Sequence, residues 1–219
     1  MSTFRSYFQA LHTIWYTDFN METKNPQFIH LHTHSHYSLL DGLSKIDEMV
    51  ALAKENGMNA IGLTDHGNMY GAIEFYKKCK AKNINPIIGV EAYVTSGSRY
   101  DKRPGIDTER FHLTLLAKNT QGYKNLMRLV TISNLEGYYY KPRMDKEILR
   151  KHSDGLICLS GCFGGEFSKA IRRGDIEGAE KIAREHRDIF GKENYYLEIM
   201  HHPGVENIEE YTVSSSPLP

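Results

Sequence analysis

Short apolar runs alternate with amphipathic segments along most of this chain, and that alternation limits its fold more than any other feature. Residues 28–32 read as a strand entering a loop. Residues 60–64 (Ala-Ile-Gly-Leu-Thr) are a buried strand, residues 86–90 another that ends at Glu91, and residues 112–117 a fourth. Residues 155–160 and 195–200 supply a fifth and a sixth. The first helix has Ser44 as N-cap, Asp47 at the third helical position, apolar Ile46, Met49, Val50 and Ala53, and Gly57 as its stop. A second opens at Asn68 and runs to about Lys82. Others cover residues 120–135, 145–151, 165–173 and 175–190. The strands are apolar rather than half-polar, which predicts a parallel sheet covered by helices. No dinucleotide or P-loop glycine signature follows the first strand. The expected fold class is therefore α/β, a βα barrel with its chemistry at the carboxyl ends of the strands.

At 219 residues the chain is long enough for one sizeable domain. Its 27 basic and 27 acidic residues cancel, so no global basic field draws it to nucleic acid. Cys79, Cys158 and Cys162 make no disulfide framework and suit a reducing, cytoplasmic compartment. No apolar run approaches membrane-spanning length, and no membrane partner is expected. Residues 1–20 lack the basic start and apolar core of a signal peptide. Met21, just ahead of the first strand, is the expected true start, which makes residues 1–27 an N-terminal extension.

Four of the eleven histidines fall at alternating positions, His30, His32, His34 and His36. Alternate side chains of a strand share a face, so His32 and His34 can reach one point as metal ligands. A solvated strand face is the plain alternative. Later strand ends add weight. They carry Asp65 and His66, then Glu91, then Cys162, then Glu198 with His201 and His202, and Asp41 lies in the first loop. Each alone has an ordinary structural use as a cap, an ion pair or a packing residue. Together they recur at the barrel end where sites are built. His112 fits less well, because it begins its strand. A site of mostly histidine with at most one thiolate suits a catalytic cluster better than a structural zinc knot. Such a cluster lowers the pKa of a bound water and neutralises phosphate charge, so the reaction class is phosphoester hydrolysis.

Longer stretches then become recognisable. They are His32-x-His34 with Tyr37-Ser38-Leu39-Leu40-Asp41-Gly42, residues 63–76 (Leu-Thr-Asp-His-Gly-Asn-Met-Tyr-Gly-Ala-Ile-Glu-Phe-Tyr), residues 86–94, Tyr139-Tyr140-Lys141-Pro142-Arg143-Met144-Asp145, and Leu159-Ser160-Gly161-Cys162. Residues 28–210 resemble the PHP (polymerase and histidinol phosphatase) domain in the form carried by bacterial DNA polymerase III alpha subunits. The resemblance implies a distorted seven-stranded βα barrel, with about six strands present here. It implies up to three zinc, manganese or iron ions held by His32, His34, Asp41, His66, Glu91, His112 and Cys162, which restores His112. His30, Asp65, Tyr140, Lys141, Arg143, Glu198 and His201 are candidates for supporting or substrate contacts. The implied activity is a metal-dependent phosphoesterase of the 3′–5′ proofreading exonuclease type. The implied parent performs DNA-directed DNA synthesis, with primer–template DNA and replisome subunits as partners, and the magnesium of its polymerase core belongs to residues absent here. The family's closing Asp-x-His after the seventh strand is missing, and residues 211–219 read as an unrelated tail. A missing strand would leave the edges of strands one and six unpaired.

Two other readings compete. One is a free-standing PHP phosphatase acting on a small phosphate ester such as histidinol phosphate; the residue 65–76 and Tyr-Tyr-Lys-Pro-Arg segments favour the polymerase form. The other is a non-catalytic scaffold fragment. The basic run Lys77-Lys78-x-Lys80-x-Lys82 and the pair Arg172-Arg173 can touch a DNA backbone, although solvated helix faces are their commoner use. Tyr138, Tyr139 and Tyr140 can stack on bases or pack a loop against the barrel.

Overall fold

The structure is a computed structural model that describes residues 28–39 and 41–200. β1 (Ala60–Leu63) runs parallel to the first residues of the long strand β2 (Asn85–Val94). β3 (Phe111–Ala117) lies antiparallel along β2 from Gly89 onward. β4 (Tyr138–Tyr139) forms a hairpin with β5 (Lys141–Met144), turning at Tyr140 with a left-handed φ of 59°. β5 is parallel to the last residues of β2. β6 (Leu156–Leu159) is antiparallel to β3, and β7 (Tyr195–Tyr196) is parallel to β6. The sheet is therefore mixed, which corrects the all-parallel expectation. A strand buried on both faces is apolar whichever way it runs, so its composition carries no direction.

Helices cover the outer face. α1 (Ile46–Glu55) and α2 (Ala72–Ala81) pack Ile46, Val50, Phe75 and Cys79 on Ile61 and Leu63 of β1. α3 (Thr120–Leu135) sets Leu126 and Leu129 against Val90, Ala92, Leu113 and Leu115. Cutting Leu126 back to Ala would cost about 2–5 kcal/mol. Because side chains alternate along a strand, the intervening Glu91, Tyr93, His112 and Thr114 take the inner face. α4 (Lys146–Lys151) and α6 (Ile176–Phe190) are capped by the Asp145 and Asp175 carboxylates, which accept from Ile148 N and Gly178 N. α5 (Glu166–Arg172) pairs with α6 through Phe167, Ala170, Ala179 and Ala183.

Several expected boundaries move. Lys45, without a side-chain bond, is the N-cap of α1, and the Ser44 carbonyl instead accepts from His36 N at 2.9 Å. Asn68 lies ahead of α2 and holds the turn after His66, its Nδ2 donating to the Tyr37 and His66 carbonyls. Residues 28–32 are not a regular strand. The segment is tied to β1 by Gly62 N to His30 O at 2.7 Å and Thr64 N to Thr33 O at 2.9 Å. Gly62 is required there, because a Cβ would stand 2.5 Å from the Leu31 carbonyl oxygen. The sixth strand shortens to β7. Beyond it Ser160 Oγ accepts from Glu198 N, a side chain in place of a ladder partner. Among the described residues no strand joins segment 28–33 to β7. Residues from both line a cavity of about 1460 Å³. The expected start at Met21, His201, His202 and the tail 211–219 lie outside the described residues.

Candidate metal centre

Strand register builds the site. Glu91 of β2 lies opposite Thr114 of β3, and Tyr93 opposite His112. Past β1 the chain continues beside β2, and His66 bridges to Glu91. Because β3 runs backward, its first residues lie beside the end of β2. His112, which spacing alone put at the wrong rim, therefore stands in the centre. Gly161, at φ 84°, turns the chain after β6 and brings Cys162 within 3.5 Å of His112 Nδ1.

The loop bearing His32 and His34 is organised on Asp65. This buried carboxylate accepts from Ser35 N at 2.6 Å and from the Ser35 and Ser38 hydroxyls, each at 2.9 Å. Ser38 Oγ in turn accepts from His66 N at 3.1 Å and lies 3.5 Å from His34 Nδ1. One carboxylate thus ties together both histidine-bearing segments.

Glu91, 1% exposed, is the hub. Its Oε1 lies 2.7 Å from His112 Nδ1, 3.3 Å from Cys162 Sγ and 3.4 Å from His32 Nε2. Its Oε2 touches His66 Nδ1 without hydrogen-bond geometry and lies 3.7 Å from His34 Nε2. Donor atoms of His32, His34 and Glu91, and likewise of His66, Glu91 and His112, fall within 4.8 Å of one another. Among the described residues, buried His32 Nε2, His66 Nδ1 and Glu91 Oε2 have no hydrogen-bond partner. Leaving such groups unpaired costs about 1–3 kcal/mol each. Divalent ions bound by these lone pairs would remove that cost, so the residues present fit a metal.

Residues 30–202 match the family described as PHP domain. The chain belongs to the PHP family. This PHP chain is 48% identical over 176 residues to the DNA polymerase III subunit alpha of Treponema pallidum, covering 80% of the chain and 15% of that relative. It is 45% identical over 197 residues to the subunit alpha of Aquifex aeolicus, covering 87% of the chain and 16% of the relative. It therefore spans about 15% of the length of these relatives. Among solved structures, an amidohydrolase from Chromobacterium violaceum superposes with a TM-score of 0.45 at 14% identity, covering 87% of this chain and 92% of that one.

Electrostatics separate the histidines of the PHP site. Burial opposes charge on His32, but the neighbouring carboxylates of Glu198 and Glu91 prevail and raise its pKa to about 9. Glu198 Oε1 lies 2.5 Å from His32 Nδ1, and Glu198 Oε2 accepts from Thr114 Oγ1 at 3.2 Å. Such a carboxylate behind an imidazole fixes its tautomer and aim. Burial lowers the pKa of His34. At Glu91 burial is outweighed by His112, His32 and His66, which hold the carboxyl well below the usual range. Burial, and then Glu91, push the Cys162 thiol up to about 12.

The remaining candidates divide. Asp41 is 61% exposed, its carboxylate Oδ2 2.8 Å from His66 Nε2. Lys141 lies on the Tyr93 ring at the edge of the centre. Tyr140 is exposed at its hairpin turn, against Tyr139. His30 meets Phe28 edge-on and lines the cavity rather than the centre. Arg143 is a correction to the substrate-facing expectation. It is wholly buried, and its guanidinium donates to the carbonyls of Gly137, Asp107, Arg99 and Asp101. It therefore fastens loop 95–110. In the basic run, Lys78 pairs with Asp47 of α1. Sequence reasoning misses Thr114, Ser35 and Ser38. Only Thr114 leaves a signal, as the polar alternate of His112 in an apolar strand.

Proposed function

We propose that this PHP domain is a metal-dependent phosphoesterase of the 3′–5′ exonuclease type. We place it in a cytoplasmic replicative polymerase alpha subunit that works on primer–template DNA with other replisome subunits. Glu91 carries the reading: one buried carboxylate is common to two sets of ligand atoms that contain unpartnered imidazole nitrogens. His32 and His34 with Glu91 would hold one zinc, manganese or iron ion, and His66 and His112 with Glu91 another. Asp41 and Cys162 stand beside the second set. Ions bound there would acidify a coordinated water to give a hydroxide nucleophile and offset phosphoryl charge. The protein's own part is positioning. Glu198 and Thr114 hold His32 Nδ1, so that Nε2 faces Glu91. Asp65, through Ser35 and Ser38, holds the loop of His34 against His66. DNA synthesis with magnesium is proposed for the whole polymerase, outside these residues.

The metal-loaded chain should release nucleotides from a mismatched primer 3′ end and should lose both metal and activity in His32→Ala/His34→Ala. Turnover of histidinol phosphate alone would reassign the site to small phosphate esters. Trace metal in the parent chain, with no change in the double variant, would leave a scaffold and sink the proposal.

A further inference from the structure

Among the described residues, two cations beside the metal centre have no acidic partner. Tyr93 is buried, its ring centroid 5.3 Å from that of His112 and 6.2 Å from that of His66. Against this ring lie the Lys141 ammonium, 5.6 Å from the centroid, and the Arg110 guanidinium, at 6.0 Å. Register explains both. Tyr93 pairs with His112 on β3, just after Arg110, and with Arg143 on β5, the strand that Lys141 begins. Among the described residues no carboxylate oxygen lies within 4 Å of either cation. Neighbouring cations are paired: Arg99 with Glu136 and Asp145, Arg103 with Asp107, and Lys169 and Arg173 with Glu109. Among the described residues, the one side-chain hydrogen bond from Arg110 goes to the Thr108 carbonyl. Contact with an aromatic face places a cation without cancelling its charge. Both side chains are half-buried, so they meet solvent at the edge of the centre.

Resting on the phosphoesterase reading, we propose that Arg110 and Lys141 form a second anion subsite. It takes the phosphate next to the scissile one, so the substrate is a single-stranded phosphodiester chain rather than a monophosphate ester. The guanidinium fork suits two oxygens of one phosphate, and the ammonium adds a point charge. One aromatic ring separates these cations from the histidines, which lets one strand engage both places at once.

The test measures binding of a labelled deoxythymidine oligomer to the metal-free chain across a salt series. Loss of two contacts to a single strand lowers the slope of log K against log salt by about 1.4. Arg110→Ala/Lys141→Ala should show that loss, and Arg110→Lys should retain the slope. In the metal-loaded chain, preference for the oligomer over bis(p-nitrophenyl) phosphate, compared as kcat/KM, should fall about tenfold in the double variant. An unchanged slope with unchanged preference overturns the subsite. If the parent chain hydrolyses neither compound, the phosphoesterase reading fails and the slope still decides the subsite. If the double variant does not fold, Lys141→Gln alone should lower the slope by about 0.7, and an unchanged slope there overturns the proposal.

Discussion

Two buried polar clusters lie along the same strands and end differently. Around Arg143 every guanidinium nitrogen has a carbonyl partner: Nε on Gly137, Nη1 on Asp107, and Nη2 on Arg99 and Asp101. Beside it Arg99 pairs with Glu136 and Asp145. Around Glu91 the count fails, and among the described residues His32 Nε2, His66 Nδ1 and Glu91 Oε2 have no hydrogen-bond partner. Depth is the same, since Arg143 is 0% and Glu91 1% exposed. A cluster closed on itself holds a loop, whereas one left open suits a cation that the chain does not encode.

The strongest way to break this contrast is Glu91→Gln, which keeps shape and removes the shared charge. Metal affinity should fall more than about 100-fold, beyond the usual cost of losing a supporting contact. Metal analysis after dialysis checks it, and full retention of metal would end the view of Glu91 as hub. Arg143→Met should do the opposite. It leaves the carbonyls of Asp107, Arg99 and Asp101 without their donor, while that of Gly137 keeps the backbone N–H of residue 143; this should cost about 3–5 kcal/mol in urea denaturation, with metal per folded chain unchanged. If metal were lost from a folded Arg143→Met chain, the two clusters would be one.

The same contrast explains what was legible in the sequence. Glu91 and His66 announce themselves by ending apolar runs; His32 and His34 announce themselves by alternation, although the segment that carries them is an irregular loop tied to β1 and Asp65 rather than a strand. His112 is misplaced by spacing, since strand direction depends on the partner strand and leaves no local mark. Arg143 enters as a supporting or substrate candidate through the resemblance, which says nothing of its depth. Its burial depends on loop 95–110 folding over it, a non-local event. Ser35 and Ser38 look like loop polarity until Asp65 is seen between them.

Protons compete with metal at the open cluster, and the sign follows from His32. Its pKa rises from 6.5 to about 9 in the folded chain. In the metal-free chain its contribution to stability is full below pH 6.5 and is lost as pH climbs through about 9. That of Glu91, whose pKa is lowered, is full above 4.5 and is lost as pH falls below it. The metal-free chain should therefore melt highest between about pH 4.5 and 6.5. Metal needs the neutral imidazole, so affinity should rise about tenfold per pH unit towards pH 9, with proton release seen by calorimetry in two buffers. Glu198→Gln removes a partner that raises the His32 pKa, and should move this rise to lower pH. A pH-independent affinity would contradict the placement of His32 among the ligands.

The smallest effect probes where the satisfied and open regions meet. Ser38→Ala removes a donor to Asp65 and the acceptor for His66 N. Leaving that amide unpaired should cost about 1–2 kcal/mol, with a loss of metal affinity below about tenfold, because no ligand atom is removed. Ser35→Ala should cost a similar amount through the same carboxylate. The two serines share Asp65, so the double variant should depart from additivity by at least about 0.5 kcal/mol. Strict additivity would mean that Asp65 does not couple the loop of His34 to His66, and the centre would then owe its geometry to the sheet alone.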